Sequence, residues 1–251
     1  ASDVYKRQTL NPVVEQTVTD LPLNDRMELK KVCLRYDGTS REALSDIDLT
    51  INHGQSMAIV GPTGSGKTTL LNLLAGIDRP TAGSLVIGGE SIENRSRSAL
   101  AKWRAEHVGY IFQLYNLVPV LTAYENIELP LLLQDLTRRQ RHDRVTAAID
   151  AVGISDRHAH YPRQLSGGQE QRVAIARAIV TEPTILLADE PTGDLDRETG
   201  TAIMDLLAKL NQENGRTIIM VTHDPRTTDW AKTTLHLEKG QLVEEIAENI
   251  S

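Results

Sequence analysis

Eight consecutive residues, Gly61-Pro62-Thr63-Gly64-Ser65-Gly66-Lys67-Thr68, restrict the fold of this chain more than any other stretch. They fit the pattern G-x-x-x-x-G-K-[ST], and they stand between the apolar run Ser56–Val60 and a helix-like segment over 68–76. A strand that runs into such a turn and then into a helix can curl its backbone so that successive N–H groups point inward at phosphate oxygens. The start of the helix adds the positive end of its dipole. Lys67 is placed for the β- and γ-phosphates and the Thr68 hydroxyl for Mg²⁺, with Thr69 following in the same helical turn. Nucleotide binding follows from this pattern, which by itself leaves kinases, GTPases and many ATPases open.

The remaining chain supplies the rest of an α/β fold. Strand character recurs at 27–36, 84–87, 108–113, 184–188, 217–221 and 234–237, and 47–51 reads as a continuation of 27–36 beyond a polar turn. Helical spacing marks 98–106 and 198–212. It dominates about 122–181, where 124–133, Arg138–Val152 and 169–180 are the helical segments. Alternation of this kind predicts a mainly parallel sheet that binds ligands at the carboxyl ends of its strands, interrupted by a helical insertion. With one phosphate loop and no internal repeat, a single domain over 27–251 is expected. Residues 1–26 are polar, contain Pro12 and Pro22 and lack an apolar stretch, so they are expected to form a flexible tail.

Three bulk properties bound the function. No run approaches the roughly 20 apolar residues that span a bilayer. The formal net charge of -7 argues against broad, phosphate-driven nucleic-acid binding. The lone cysteine, Cys33, excludes an intramolecular disulfide, suits a reducing compartment, and is expected as a small buried hydrophobe.

Two further segments carry chemistry. The apolar strand over 185–188 ends in Asp189-Glu190. Asp189 stands where it can hold Mg²⁺ beside the phosphate loop, directly or through water. Glu190, one residue on, is expected on the other side of the strand, where it can polarise an attacking water as general base. Leu165-Ser166-Gly167-Gly168-Gln169 opens a helix: Ser166 can cap it, and the two glycines expose N–H groups at its positive end. That makes a second anion site within one chain.

Those residues spell the signature of ATP-binding cassette proteins, and the chain resembles that family from about Met27 to Glu245. The resemblance implies a P-loop NTPase fold with an antiparallel β subdomain near the N-terminus and the signature carried by the helical insertion. It also implies roles. Gln113 matches the glutamine that touches Mg²⁺ and the attacking water. Gly193-Asp194-Leu195-Asp196 matches the loop crossing a dimer interface, with Asp196 near the nucleotide. His223 matches the histidine that contacts the γ-phosphate, and Tyr36 the aromatic ring against adenine. In isolation, Tyr36 reads more often as a packed strand residue, and a lone His223 after a strand as a capped turn.

In this family two copies enclose two ATP molecules, each between the phosphate loop of one subunit and the signature of the other. Hydrolysis then drives conformational change in a separate membrane subunit. The stretches 70–83, 108–113, 121–127 and 188–196 resemble the group that includes the lipoprotein-releasing, macrolide-export and cell-division ATPases. Members of that group work from the cytoplasmic face with a permease of few spanning helices and a large extracytoplasmic domain. Some are thought to transmit force rather than pass cargo. The apolar stretch 114–121 fits either plain core or a groove for such a partner, and Tyr115 to Val118 are the expected docking residues. A soluble cassette acting on nucleic acid or ribosomes would usually fuse two cassettes or insert a long coiled coil and carry basic tracts, whereas this sequence shows one cassette, no long heptad run and an acidic balance.

Overall fold

The structure, a computed structural model, describes residues 26–246 apart from 88 and 93. The expected tail lies outside the described residues except for Arg26, which opens the first strand. In chain order the first half forms β1 (Arg26–Leu34), β2 (Leu44–Asn52), β3 (Ser56–Val60), α1 (Lys67–Leu74), β4 (Ala82–Ile87), β5 (Glu90–Ser91), α2 (Arg97–His107) and β6 (Val108–Ile111). The insertion contributes α3 (Ala123–Glu128), α4 (Arg138–Val152) and α5 (Gly167–Ile179). Then follow β7 (Ile185–Asp189), α6 (Arg197–Asn214), β8 (Thr217–Thr222), β9 (Thr233–Glu238) and β10 (Gln241–Ile246).

The strands divide into two sheets. A core sheet has the order β10-β9-β3-β8-β7-β6, parallel throughout except for β10, which pairs antiparallel with β9 at the edge. The second sheet, β2-β1-β4-β5, is antiparallel. Segment 47–51 is therefore the hairpin partner of β1 and not its continuation, with Leu29 opposite Leu49. Left-handed backbone at Lys31 and Asp46 accompanies shifts in that pairing. Cys33 is only half-buried there, on a strand paired on both sides, and its Sγ accepts the Asp46 N–H at 3.3 Å, so it is partly polar in its contacts and not the buried hydrophobe expected.

Strands β3, β7 and β8 are buried on both faces, as interior parallel strands must be. Alternate residues feed opposite layers. Ile218 and Met220 join Leu186, Ala188 and the apolar faces of α3 to α6, whereas Ile219 and Val221 join Ile185, Leu187, α1 and the antiparallel sheet. With a single phenylalanine in the chain, both clusters rest on Leu, Ile, Val and Ala.

The expected helix 124–133 breaks after Glu128. Leu129–Leu133 is a 3-10 turn, because Pro130 has no N–H for an α-helical bond and its ring crowds the preceding turn. Among the described residues, no helix is long and apolar enough to cross a membrane.

Candidate functional site

Strand register places the reactive residues. Val60, the last residue of β3, pairs with Thr222 of β8, and Asp189, the last residue of β7, pairs with Val221. The phosphate loop, Glu190 and His223 therefore leave the same carboxyl edge of the sheet side by side. Gly66 caps α1 with φ of 106°, and a Cβ on it would lie 2.7 Å from the Ala43 carbonyl oxygen. Only glycine satisfies both constraints. The β9–β10 turn braces the loop through a bond from the Gly240 N–H to the Ser65 carbonyl at 2.8 Å.

Lys67, Thr68, Gln113, Asp189, Glu190 and His223 share one cleft of about 510 Å³, walled by Thr63, Gly64, Gly66 and Thr69. Lys67 is buried, and its Nζ donates to the carbonyls of Gly61 and Pro62 at 2.7 and 3.1 Å. The buried Ser65 Oγ has no hydrogen-bond partner. An orphaned hydroxyl beside a buried ammonium, in a loop rich in N–H groups, fits phosphate oxygens. The Thr68 hydroxyl bonds the Asp189 carboxylate. Burial raises the pKa of Asp189 above its ordinary value; the Thr68 bond opposes that rise, the Glu190 charge adds to it, and Lys67 opposes it. Thr68, Asp189 and the Gln113 amide offer hard oxygen ligands of the kind Mg²⁺ prefers alongside phosphate. Among the described residues no three His, Cys, Asp or Glu side chains gather as a metal cage.

Alternation along β7 predicts that Glu190 faces away from Asp189. The structure corrects this: both line the same cleft. β7 ends at Asp189, and Glu190 takes a left-handed φ of 47°, which breaks the strand's alternation while its N–H still donates to the Val221 carbonyl at 2.9 Å. Its Oε2 accepts from the His223 backbone N–H at 3.2 Å and stands 2.9 Å from His223 Nδ1.

The other predicted residues lie elsewhere. Tyr36 follows the end of β1 at the rim, 43% exposed, and its hydroxyl donates to Asp78 at 2.8 Å and contacts Thr69 Oγ1 at 3.4 Å. Ser166 caps α5: its Oγ accepts the Gln169 N–H at 3.4 Å, and the Gln169 side chain accepts the Ser166 N–H at 3.0 Å. None of Ser166, Gly167, Gly168 and Gln169 lines the cleft, and neither does Asp196. Asp196 caps α6, accepting the Thr199 N–H at 3.0 Å and the Thr199 hydroxyl at 2.6 Å, bonds that lower its pKa. A Cβ on Gly168 would meet Thr199 Cγ2 at 2.4 Å, so the signature turn packs against the start of α6.

Two contributors escape sequence reasoning. Asp78 anchors Tyr36. Gln171 is completely buried in α5 and donates to the Pro191 carbonyl at 2.6 Å, fastening the residue after Glu190 to the signature helix. A glutamine two positions past Gln169 gives no periodicity signal that separates it from a solvent-facing residue.

The expected docking residues are mostly turned inward. Tyr115, Leu117 and Val118 are half-buried, Leu117 packs on the core, and the exposed apolar members of the stretch are Pro119 and the larger Leu114 and Val120, the last two at 72% and 77%. Asn126, fully buried, ties down the segment by accepting the Val118 N–H at 2.7 Å and donating to the carbonyls of Val118, Leu121 and Thr122.

Comparison with known proteins gives a consistent pattern. A family model described as ABC transporter matches residues 44–193. The lipoprotein-releasing system ATP-binding protein LolD of Bordetella avium is 40% identical over 228 residues, covering 90% of this chain and 99% of LolD. The ABC transporter ATP-binding protein YknY of Bacillus subtilis is 45% identical over 202 residues, covering 80% of this chain and 87% of YknY. Among solved structures, the dimeric cassette MJ0796 bound to ADP and Pi superposes with a TM-score of 0.81 at 39% identity, covering 88% of this chain and 98% of MJ0796.

Proposed function

The chain belongs to the ABC transporter family as an ATP-binding cassette ATPase, and from that premise we propose that two copies close over two ATP molecules to drive a separate membrane subunit. The observation that carries this reading is the division of the anion-binding surfaces. The phosphate loop and Glu190 share one cleft, while the signature Ser166 to Gln169 lies outside it in the same chain. A second copy, turned to face the first, brings its signature turn to a phosphate held in that cleft. ATP then favours the closed state by its differential affinity for it.

Each residue has a task within that assembly. The backbone N–H groups of the Gly61 to Thr69 segment, Pro62 excepted, and the Lys67 ammonium hold the phosphates, and Tyr36 stacks on adenine. Thr68, Asp189 and Gln113 hold Mg²⁺, which when bound neutralises charge on the phosphate oxygens. Glu190 takes the proton of the attacking water, and His223 orients Glu190 and reaches the terminal phosphate. Ser166, Gly167, Gly168 and Gln169 of the facing copy donate to that phosphate, and Asp196 keeps the Gly193 to Asp196 loop at the interface.

The membrane partner is a permease with few spanning helices and a large extracytoplasmic domain, and the chain works on it at the cytoplasmic face. The extent of similarity to LolD supports this, as does a net charge of -7, which disfavours nucleic acid as the partner. The test uses Glu190→Gln. Sedimentation with saturating MgATP is expected to give a dimer, and adding Ser166→Arg is expected to return it to a monomer that still binds ATP. A Glu190→Gln protein that stays monomeric overturns the facing-dimer reading. Affinity purification of the same variant from solubilised membranes is expected to recover the permease. Recovery of ribosomes or nucleic acid in its place overturns the partner.

A further inference from the structure

The segment after Gln113 is held in an unusual way. Tyr115 and Asn116 have φ of 55° and 49°, the only consecutive non-glycine residues in left-handed backbone among the described residues. Such a pair is unfavourable for L residues and persists only where surrounding structure imposes it. The imposing group is Arg177, near the end of α5. Its Nη1 donates to the Asn116 carbonyl and its Nη2 to the Tyr115 carbonyl, each at 2.6 Å. The left-handed turn is what aims both carbonyls at one guanidinium. Burial disfavours the charge of Arg177, so these two acceptors are its compensation.

The same turn directs Tyr115 toward the far end of that helix. A Cβ on Gly167 would stand 3.2 Å from the Tyr115 hydroxyl. Burial raises the Tyr115 pKa, and the charges of Asp194 and Glu170 raise it further, which places the ring beside the signature turn and the Gly193 to Asp196 loop. Helix α5 thus grips the segment behind Gln113 through Arg177, and grips the segment behind Glu190 through Gln171.

We propose that Arg177 is a positioning residue for hydrolysis: its two-carbonyl clamp on Tyr115 and Asn116 fixes the loop that presents Gln113 to the cleft, and links that presentation to the position of the signature helix. The inference rests on the reading of Gln113 as the residue that meets the attacking water. Lysine cannot replace the clamp, because a single ammonium lacks the planar pair of donors that spans two carbonyls.

The test compares purified full-length variants. A nitroxide at Leu114→Cys, in a Cys33→Ser background, reports the mobility of the loop from its exposed side. In Arg177→Lys the folded circular dichroism spectrum is expected to remain, and KM for ATP to stay within about twofold. The kcat is expected to fall about tenfold, corresponding to loss of roughly one good hydrogen bond, and the nitroxide spectrum to become mobile. Adding Asn116→Gly, which adopts left-handed backbone freely, is expected to restore part of the kcat; a role confined to helix packing gives no such rescue. Arg177→Gln, which keeps one donor group, is measured alongside in case the lysine variant does not fold. Wild-type kcat in these variants, or lost kcat with an unchanged nitroxide spectrum, overturns the proposal. Gln113→Ala is the separate control: if it hydrolyses ATP at the wild-type rate, the reading of Gln113 fails, whereas the nitroxide spectra still decide whether Arg177 holds the loop.

Discussion

The Nδ1 of His223 stands 2.9 Å from Oε2 of Glu190, and the backbone N–H of His223 donates to that same oxygen at 3.2 Å. Glu190 is only 12% exposed at its side chain and His223 60%, so the histidine stands on the solvent side of a carboxylate that is already oriented. One oxygen of Glu190 is occupied by this pair, leaving the other to accept a proton.

This geometry separates the effects of two substitutions. Glu190→Gln keeps the shape and removes the base, so kcat is expected to fall by about 10² to 10⁴ with ATP affinity retained. His223→Ala removes an orienting contact and leaves the carboxylate, so a smaller loss is expected, about 10- to 100-fold, as for loss of a hydrogen bond to a charged group. Steady-state ATPase assays and equilibrium nucleotide binding check both. If His223→Ala is as severe as Glu190→Gln, the histidine does more than orient the carboxylate.

Asp189 supplies a stability prediction with a definite sign. Its pKa in the folded chain lies above the ordinary value of 3.8, chiefly because burial disfavours the charged form. Relative to the unfolded chain, the folded state is therefore penalised at neutral pH, and that penalty fades as pH falls through the raised pKa and is gone below about 3.8. Asp189→Asn is expected to raise Tm at pH 7 in the nucleotide-free protein, to give no gain below the carboxylate range, and to lose Mg²⁺-dependent hydrolysis. Thermal melts at pH 7 and under acid conditions check it; a Tm lowered at pH 7 contradicts the stated cause.

Much of this site is legible in the sequence because each motif carries its own backbone signal. The phosphate loop announces itself through glycines that only that turn requires, and Ser166 and Gln169 through the reciprocal spacing of a capping box. What the sequence hides is contact made across the fold. Alternation sent Glu190 to the wrong side because a left-handed residue at a strand end leaves no mark in composition. Gln171 and Arg177 read as polar helix residues, yet each is turned onto backbone carbonyls of distant loops, and Asn126 onto those of the segment just before its own helix. Likewise, the antiparallel pairing of β1 with β2 depends on a hairpin whose polar connection resembles a simple interruption.

Gln171 tests whether those hidden contacts matter for catalysis. Its amide N–H is bonded to the Pro191 carbonyl in a fully buried setting. Gln171→Met conserves length while leaving that carbonyl without a partner, which costs about 1–3 kcal/mol. For a chain of this size, Tm is expected to drop by roughly 2–4 °C per kcal/mol. The kcat is expected to fall more than ATP affinity, because the freed carbonyl lies next to Glu190 and not in the phosphate loop. Calorimetry and ATPase assays on one preparation check both; lost stability with unchanged kcat confines Gln171 to a packing role.

If the proposed membrane partner docks between Gln113 and α3, the exposure pattern there picks out the residues it would meet. Leu114 and Val120 hold apolar side chains in water at 72% and 77% exposure, whereas Leu117 packs inward and Val118 is bound on both backbone groups by Asn126. A rigid loop with two outward apolar residues suits a short partner helix, since little ordering is lost on contact. Because neither side chain is buried, charging both in a Leu114→Asp, Val120→Asp variant is expected to change Tm little and to leave the ATPase of the isolated chain intact. Co-purification of the membrane subunit is expected to be lost, because docking would bury two carboxylates against apolar surface. A variant that still recovers its partner while hydrolysing ATP normally places the docking surface elsewhere on the molecule.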